Sequence, residues 1–290
     1  MSSESAPEPA PFPFPVYPSL EAVPKSAAIR QVYPEDLYPN GNYVQLPYGR
    51  TRYWLLGPED GIKVVLIHGI STPSITWKLI APYLAERRCR ILLYDLYGKG
   101  YSEAPKTVYN ANLFITQLAL LLQYLRWDTT HLVGFSMGGG VAAAFAATFP
   151  HLLAGKVILT ASAGMMGQLR VTNRDNTDPL AILGGIRKLQ AESLPGYKTS
   201  MESCFKDGPL RGLEWAFTKL PDLRTTSGEP VQVELIHGTA EEVVPYSECL
   251  KIKERVPAAK VVPIEGANHD CVVRDGHWQQ VAQAIGDFLI

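Results

Sequence analysis

The chain has 290 residues, 46% hydrophobic and 19% charged, a composition that suits a globular protein with a sizeable core and excludes wholesale disorder or collagen-like repetition. Twenty-seven lysines and arginines against 28 aspartates and glutamates leave a formal net charge of -1. There is no cationic excess to neutralise a phosphate backbone or hold an anionic membrane, so nucleic acid is not an expected partner.

The stretch before Lys25, the first basic residue, lacks the charged start and apolar core of a secretory signal. No apolar run approaches the roughly 20 residues that span a bilayer. Cys89, Cys204, Cys249 and Cys271 lie far apart, with neither C-x-x-C nor metal-ligand spacing, so the expectation is buried reduced thiols in a cytoplasmic protein, with no metal. Residues 1–25 hold seven prolines, including Pro11, Pro13 and Pro15 around Phe12 and Phe14. Proline supplies no N–H for a helix or ladder, so 1–25 reads as a disordered tail. The alternative is a strap in which Phe12, Phe14 and Tyr17 lie on the domain surface.

From Asn42 onward short β-rich runs alternate with helix-length segments. Tyr43–Leu46 and Thr51–Leu56 predict a hairpin about the turn-like residues 47–50. Val64–Ile67, Ile91–Tyr94, His131–Val133 and Val157–Leu159 follow, apolar on both faces, as buried strands of a parallel sheet covered by helices require. Residues 164–225 read as helical turns broken at Pro179, Gly184-Gly185, Pro195-Gly196, Gly208-Pro209 and Pro221. Strands resume at Val231–Ile236 and Lys260–Ile264, and His277–Ile290 closes the chain as a helix. The expected architecture is an α/β core over 26–163 and 226–290, with a mostly parallel sheet and an insertion at 164–225.

Gly134-Phe135-Ser136-Met137-Gly138 lies between the His131–Val133 strand and a small-residue helix start. This is G-x-S-x-G in strand-turn-helix context, where a Cβ two positions before or after the serine would clash with the adjacent chain. A G-x-G-x-x-G or Walker lysine, which a nucleotide-binding turn would carry, is absent from the sequence. A serine hydroxyl attacks a carbonyl only if an imidazole takes its proton and a carboxylate fixes that imidazole. His269 stands in a loop after the Lys260–Ile264 strand, at the sheet edge that would carry Ser136, and is the expected base. The loop after Val231–Ile236 offers two acids, Glu241 and Glu242, which preserve the chain order serine, acid, histidine. His68 and His237 precede glycines at strand ends and read as structural donors, while His131, His151 and His277 read as surface or satisfied-core residues.

These features resemble the α/β-hydrolase family, in particular its serine esterase and lipase-like members with a helical cap, over about residues 42–290. The resemblance rests on His68-Gly69, on Asp95-x-x-Gly98-x-Gly100-x-Ser102, on the elbow, and on the glycine, acid and Val-Pro of the acid loop. It implies that Glu241 is the acid, with glutamate where aspartate is commoner and Glu242 as alternative. It makes Asp95 a structural turn residue, and Asp270, beside the base, should point away. The backbone N–H groups of Ile70 and Met137 become the oxyanion donors.

A cap at 164–225 would lie over the site and offers Met165, Met166, Leu169, Ile182, Leu183, Trp215 and Phe217. Arg170, Arg174, Arg187 and Lys188 could grip a carboxylate, but solvated helix faces explain them more simply. The expected function is cofactor-free hydrolysis of moderately apolar small-molecule carboxylic esters through an acyl-enzyme. A carbon–carbon bond hydrolase or perhydrolase is the enzymatic alternative, and a non-catalytic ligand sensor or scaffold the alternative of another class. Epoxide and haloalkane hydrolysis are disfavoured by serine, rather than aspartate, at the elbow.

Overall fold

A computed structural model describes residues 14–167 and 181–290. The first thirteen residues, with Phe12, lie outside it, as do Leu169, Arg170, Arg174 and Pro179.

The segment from Phe14 to Lys25 departs from the expected disordered tail. Phe14 packs its ring on Tyr48 at 4.8 Å, and β1 (Val16–Tyr17) pairs antiparallel with β6 (Ala104–Pro105). Leu20 is wholly buried, and its N–H donates to the Gly100 carbonyl at 3.0 Å. The prolines confine this stretch to extended backbone, which lowers the entropy lost on docking, while the apolar residues between them supply the anchors. A short helix, α1 (Ala28–Val32), follows.

The main sheet has eight strands in the order β10-β9-β8-β7-β4-β5-β3-β2. The hairpin of β2 (Gly41–Leu46) and β3 (Gly49–Leu56) turns at Pro47-Tyr48, and β3 joins β5 (Cys89–Tyr94) antiparallel. Parallel pairing then runs from β5 through β4 (Ile62–Ile67), β7 (Thr130–Phe135), β8 (Leu153–Thr160) and β9 (Gln232–Gly238) to β10 (Lys260–Ile264). Alternation along β4 divides the core. Val65 and Ile67 face the layer formed by α3 (Ala111–Leu125), α4 (Met137–Thr148) and α8 (Tyr246–Arg255). Val64 and Leu66 face α2 (Ile80–Ala85) and α9 (Trp278–Leu289). All four cysteines are buried and unbridged. Among the described residues no helix is long and apolar enough to cross a membrane.

Between β8 and β9 lie α5 (Ala181–Ser193), α6 (Tyr197–Asp207) and α7 (Glu214–Lys219). Pro195-Gly196 and Gly208-Pro209 separate these helices, but Gly184-Gly185 does not break α5. A helix interior tolerates glycine at about 1 kcal/mol relative to alanine, which the rest of α5 absorbs. Met165, Met166 and Phe217 are buried, whereas Trp215 is exposed; the side chains of Ile182 and Leu183 lie outside the described residues.

Candidate active site

The site forms at the carboxyl edge of the sheet, where the chain leaves β4 for β5 on one side and returns to β7 on the other. Such a reversal opens a crevice beyond the strand ends. Ser136 is the single residue between β7 and α4, at φ 55° and ψ −122°, a conformation that non-glycine residues adopt only under constraint. The constraint is visible around it. Its N–H donates to Thr160 O at 3.0 Å, and its carbonyl accepts from Gly139 and Ala163, both at 3.0 Å. A Cβ on Gly134 would lie 2.2 Å from the Gly138 carbonyl oxygen, and one on Gly138 would lie 2.2 Å from that of Ile67. Only glycines let α4 start so close over β4.

His269, in the loop after β10, brings Nε2 to 3.1 Å from Ser136 Oγ and Nδ1 to 2.9 Å from Glu241 Oε2. With Nδ1–H donating to the carboxylate, Nε2 is left as the acceptor facing the hydroxyl. The ring packs at 4.9 Å on Phe135, the residue before the serine. The Glu241 side chain is wholly buried, and its Oε1 accepts the N–H groups of Val243 at 2.7 Å and Val244 at 3.1 Å. Burial by itself would raise this carboxyl, but the adjacent His269 and these hydrogen bonds prevail and hold it below the usual glutamate range. Glu242 is exposed, and its backbone N–H donates to Asn268 Oδ1 at 3.2 Å. Of the two candidate acids, Glu241 is therefore the one at the imidazole.

The chain leaving β4 passes directly over the serine. A Cβ on Gly69 would lie 3.2 Å from Ser136 Cβ and 3.6 Å from Oγ. His68 orients this stretch: its Nδ1–H donates to Gly69 O at 2.8 Å and its Nε2 accepts the Leu96 N–H at 2.9 Å. Burial pushes His68 down to about 3, so the ring is neutral and one tautomer satisfies both bonds. Because the peptide is planar and trans, fixing the Gly69 carbonyl aims the Ile70 N–H the opposite way. Met137 N–H opens α4, at the first helical position, where the backbone N–H has no intrahelical partner.

The remaining acids and histidines fall elsewhere. Asp95 is buried and accepts from Tyr33 Oη at 2.9 Å, Ser74 N at 2.9 Å and Tyr101 N at 2.8 Å, organising the loop after β5. Asp270 turns away from the site to pair with Arg274. His237 donates from Nε2 to Val244 O at 2.8 Å and closes the acid loop, and His131 Nδ1 accepts from Lys156 N at 3.1 Å. Arg187 and Lys188 are exposed on α5, with Lys188 3.9 Å from Glu192.

Two buried polar residues on and beneath the helices between β8 and β9 are not marked by the sequence. Lys99 is wholly buried, donates to Ser200 Oγ at 2.7 Å, and stands 5.3 Å from the Tyr197 ring centre. Gln190, also wholly buried, bridges two core loops from α5. Gln190 is a lone polar residue in an amphipathic helix and Lys99 sits in a glycine-flanked turn, and neither setting carries a pattern that separates a buried side chain from a solvated one.

A family model described as alpha/beta hydrolase fold matches residues 63–198. The chain is 26% identical over 260 residues to 2-hydroxy-6-oxo-2,4-heptadienoate hydrolase of Pseudomonas putida, covering 79% of this chain and 89% of that protein. Among solved structures it resembles a meta-cleavage product hydrolase from Pseudomonas fluorescens IP01, with TM-score 0.70, 21% identity and coverage of 86% and 97% of the two chains. It also resembles an esterase from Rhodococcus sp. ECU1013, with TM-score 0.67, 20% identity and coverage of 86% and 98%.

Proposed function

We propose that this chain, which has the α/β-hydrolase fold, is a serine hydrolase in which Ser136 is the nucleophile, His269 the base and Glu241 the acid. The observation that carries this reading is the unbroken hydrogen-bonded line from Glu241 through His269 to Ser136, ending on a serine held in a constrained turn. Ser136 Oγ attacks the substrate carbonyl carbon as its proton passes to His269 Nε2. The resulting alkoxide is received by the N–H groups of Ile70 and Met137. His269 then protonates the leaving group, leaving an acyl-enzyme, and water attacks the acyl carbon by the same proton route in reverse. Glu241, ionised because its carboxyl is held low, stabilises the imidazolium formed in both halves.

The first reading of the substrate is a small, moderately apolar carboxylic ester, with water as the only co-substrate and neither metal nor cofactor. A second reading, hydrolysis of a carbon–carbon bond beside a ketone, is favoured by the similarity to a 2-hydroxy-6-oxo-2,4-heptadienoate hydrolase that covers 79% of this chain. Both readings use the same serine, base and oxyanion donors.

A fluorophosphonate probe is expected to label the folded protein at Ser136 and to leave Ser136→Ala unlabelled; labelling elsewhere, or none, would overturn the serine-hydrolase reading in favour of a non-catalytic role. Turnover of p-nitrophenyl esters of graded chain length, set against a 2-hydroxy-6-oxo-dienoate, separates the substrate readings. A dienoate kcat/KM well above every ester selects the carbon–carbon hydrolase.

A further inference from the structure

We propose that Gln190 and Tyr197, on the cap helices, are positioning residues for the Ile70 N–H, acting through the carbonyl of Ser71. This rests on the reading of Ile70 as an oxyanion donor and adds the side chains that hold the donor in place.

The stretch from His68 to Pro73 joins β4 to a short turn at Ser74–Trp77 and is irregular backbone. A backbone donor in such a stretch is useful only where it meets the forming alkoxide at hydrogen-bond distance, and a displacement of 1 Å is worth about a hundredfold in rate. The near end is set by His68 on the Gly69 carbonyl, and the far end by Asp95, which accepts the Ser74 N–H at 2.9 Å. Between these anchors the stretch is held from above. Gln190 Nε2 and Tyr197 Oη each donate to Ser71 O at 2.9 Å, one from α5 and one from α6. Two donors from two cap helices thus converge on one carbonyl, one residue beyond Ile70.

The two donors are themselves fixed. Gln190 Oε1 accepts the Gly100 N–H at 2.9 Å, which assigns the amide so that its NH2 faces Ser71. Gln190 is wholly buried and Tyr197 nearly so, so both donors are largely withdrawn from water. Beneath Tyr197, Lys99 donates to Ser200 Oγ, and Ser200 bonds back to the Tyr197 carbonyl at 2.8 Å. A contact serving only to attach the cap has no need to end twice on a carbonyl beside the proposed donor. The oxyanion loop is consequently shaped by the cap as well as by the sheet.

The test uses the full chain with Tyr197→Phe, which removes one hydroxyl, Gln190→Met, which keeps the volume, and the double variant. With p-nitrophenyl butyrate, kcat should fall about tenfold in each single variant and about a hundredfold in the double, with KM within about twofold. Affinity for a hexyl trifluoromethyl ketone, whose serine adduct places an alkoxide at the same donors, should fall by the same factor as kcat/KM. Leu121→Ala, in the buried face of α3, serves as control, lowering the unfolding midpoint without these losses. A kcat within twofold of the parent in the double variant, or a loss confined to KM, overturns the positioning role while leaving the nucleophile intact. A parent protein that is not labelled at Ser136 by fluorophosphonate overturns the reading of the site itself, and the positioning role with it.

Discussion

A serine at φ 55° can be kept only where backbone closes in from both sides, and at Ser136 it does so through Gly134 and Gly138. The atom opposing a Cβ on Gly138 is the Ile67 carbonyl oxygen, a strand atom that cannot swing aside as a flexible side chain would. Gly138→Ala should therefore destabilise the fold by about 3 kcal/mol and abolish fluorophosphonate labelling, read by urea midpoint and by probe incorporation. At the acid, Glu241→Gln would keep the shape but reverse the hydrogen-bond preference at His269 Nδ1. It should lower kcat by about 10³–10⁴, while Glu242→Gln stays within about threefold. Equal losses in the two variants would remove Glu241 from its role. Ser136 and His269 were legible in the sequence because strand, turn and helix leave their own signatures around them. The choice between adjacent glutamates was not legible from their chemistry. It depends on which carboxylate meets the N–H groups of Val243 and Val244, a matter of loop conformation.

Elements were legible in proportion to the length of their pattern. Val64–Ile67 and its counterparts announce buried strands because short runs of consecutive apolar residues have nowhere to go but between two layers. The pair β1–β6 is two residues long and contains a proline, so no periodicity marks it, and the docking of Phe14–Lys25 was legible only as the alternative to the tail that such a composition ordinarily signals. The strap has measurable consequences because Leu20 inserts fully while Tyr17 lies against Ala104, its ladder partner in β6. Leu20→Ala should lower stability by about 2–4 kcal/mol, a shift in urea midpoint at unchanged m-value. A shift below 0.5 kcal/mol would mean that the segment contributes nothing to the folded state in solution.

At the scale of the whole molecule the α/β class followed from alternating elements, but strand order did not. Nothing local tells β4 to sit between β5 and β7; that choice reflects which crossovers pack helices on both faces, and it is what sets the elbow beside the His68 loop. The same burial has a global electrostatic signature. Desolvation pushes His68 down to about 3, desolvation together with the charge of Lys156 brings His131 down to about 4, and burial lowers His237 as well. Ordinary histidine titrates near about 6.5, so between that value and each folded value the unfolded chain binds a proton that the folded chain refuses. Stability is therefore undiminished by these groups above about pH 6.5 and declines as pH falls, by up to about 1.4 kcal/mol per pH unit for each histidine. The buried carboxyls of Asp95 and Glu234, raised by desolvation, oppose the decline at its acid end, because the folded chain takes up their protons first. A variant isolates one histidine from this sum. His131→Asn keeps an acceptor for the Lys156 N–H but cannot take up a proton, so its stability, from urea midpoints between pH 6.5 and 4.5, should fall less steeply than the parent's by about one proton. Parallel pH dependences in parent and variant would show that His131 is as readily protonated in the folded protein as in the unfolded chain.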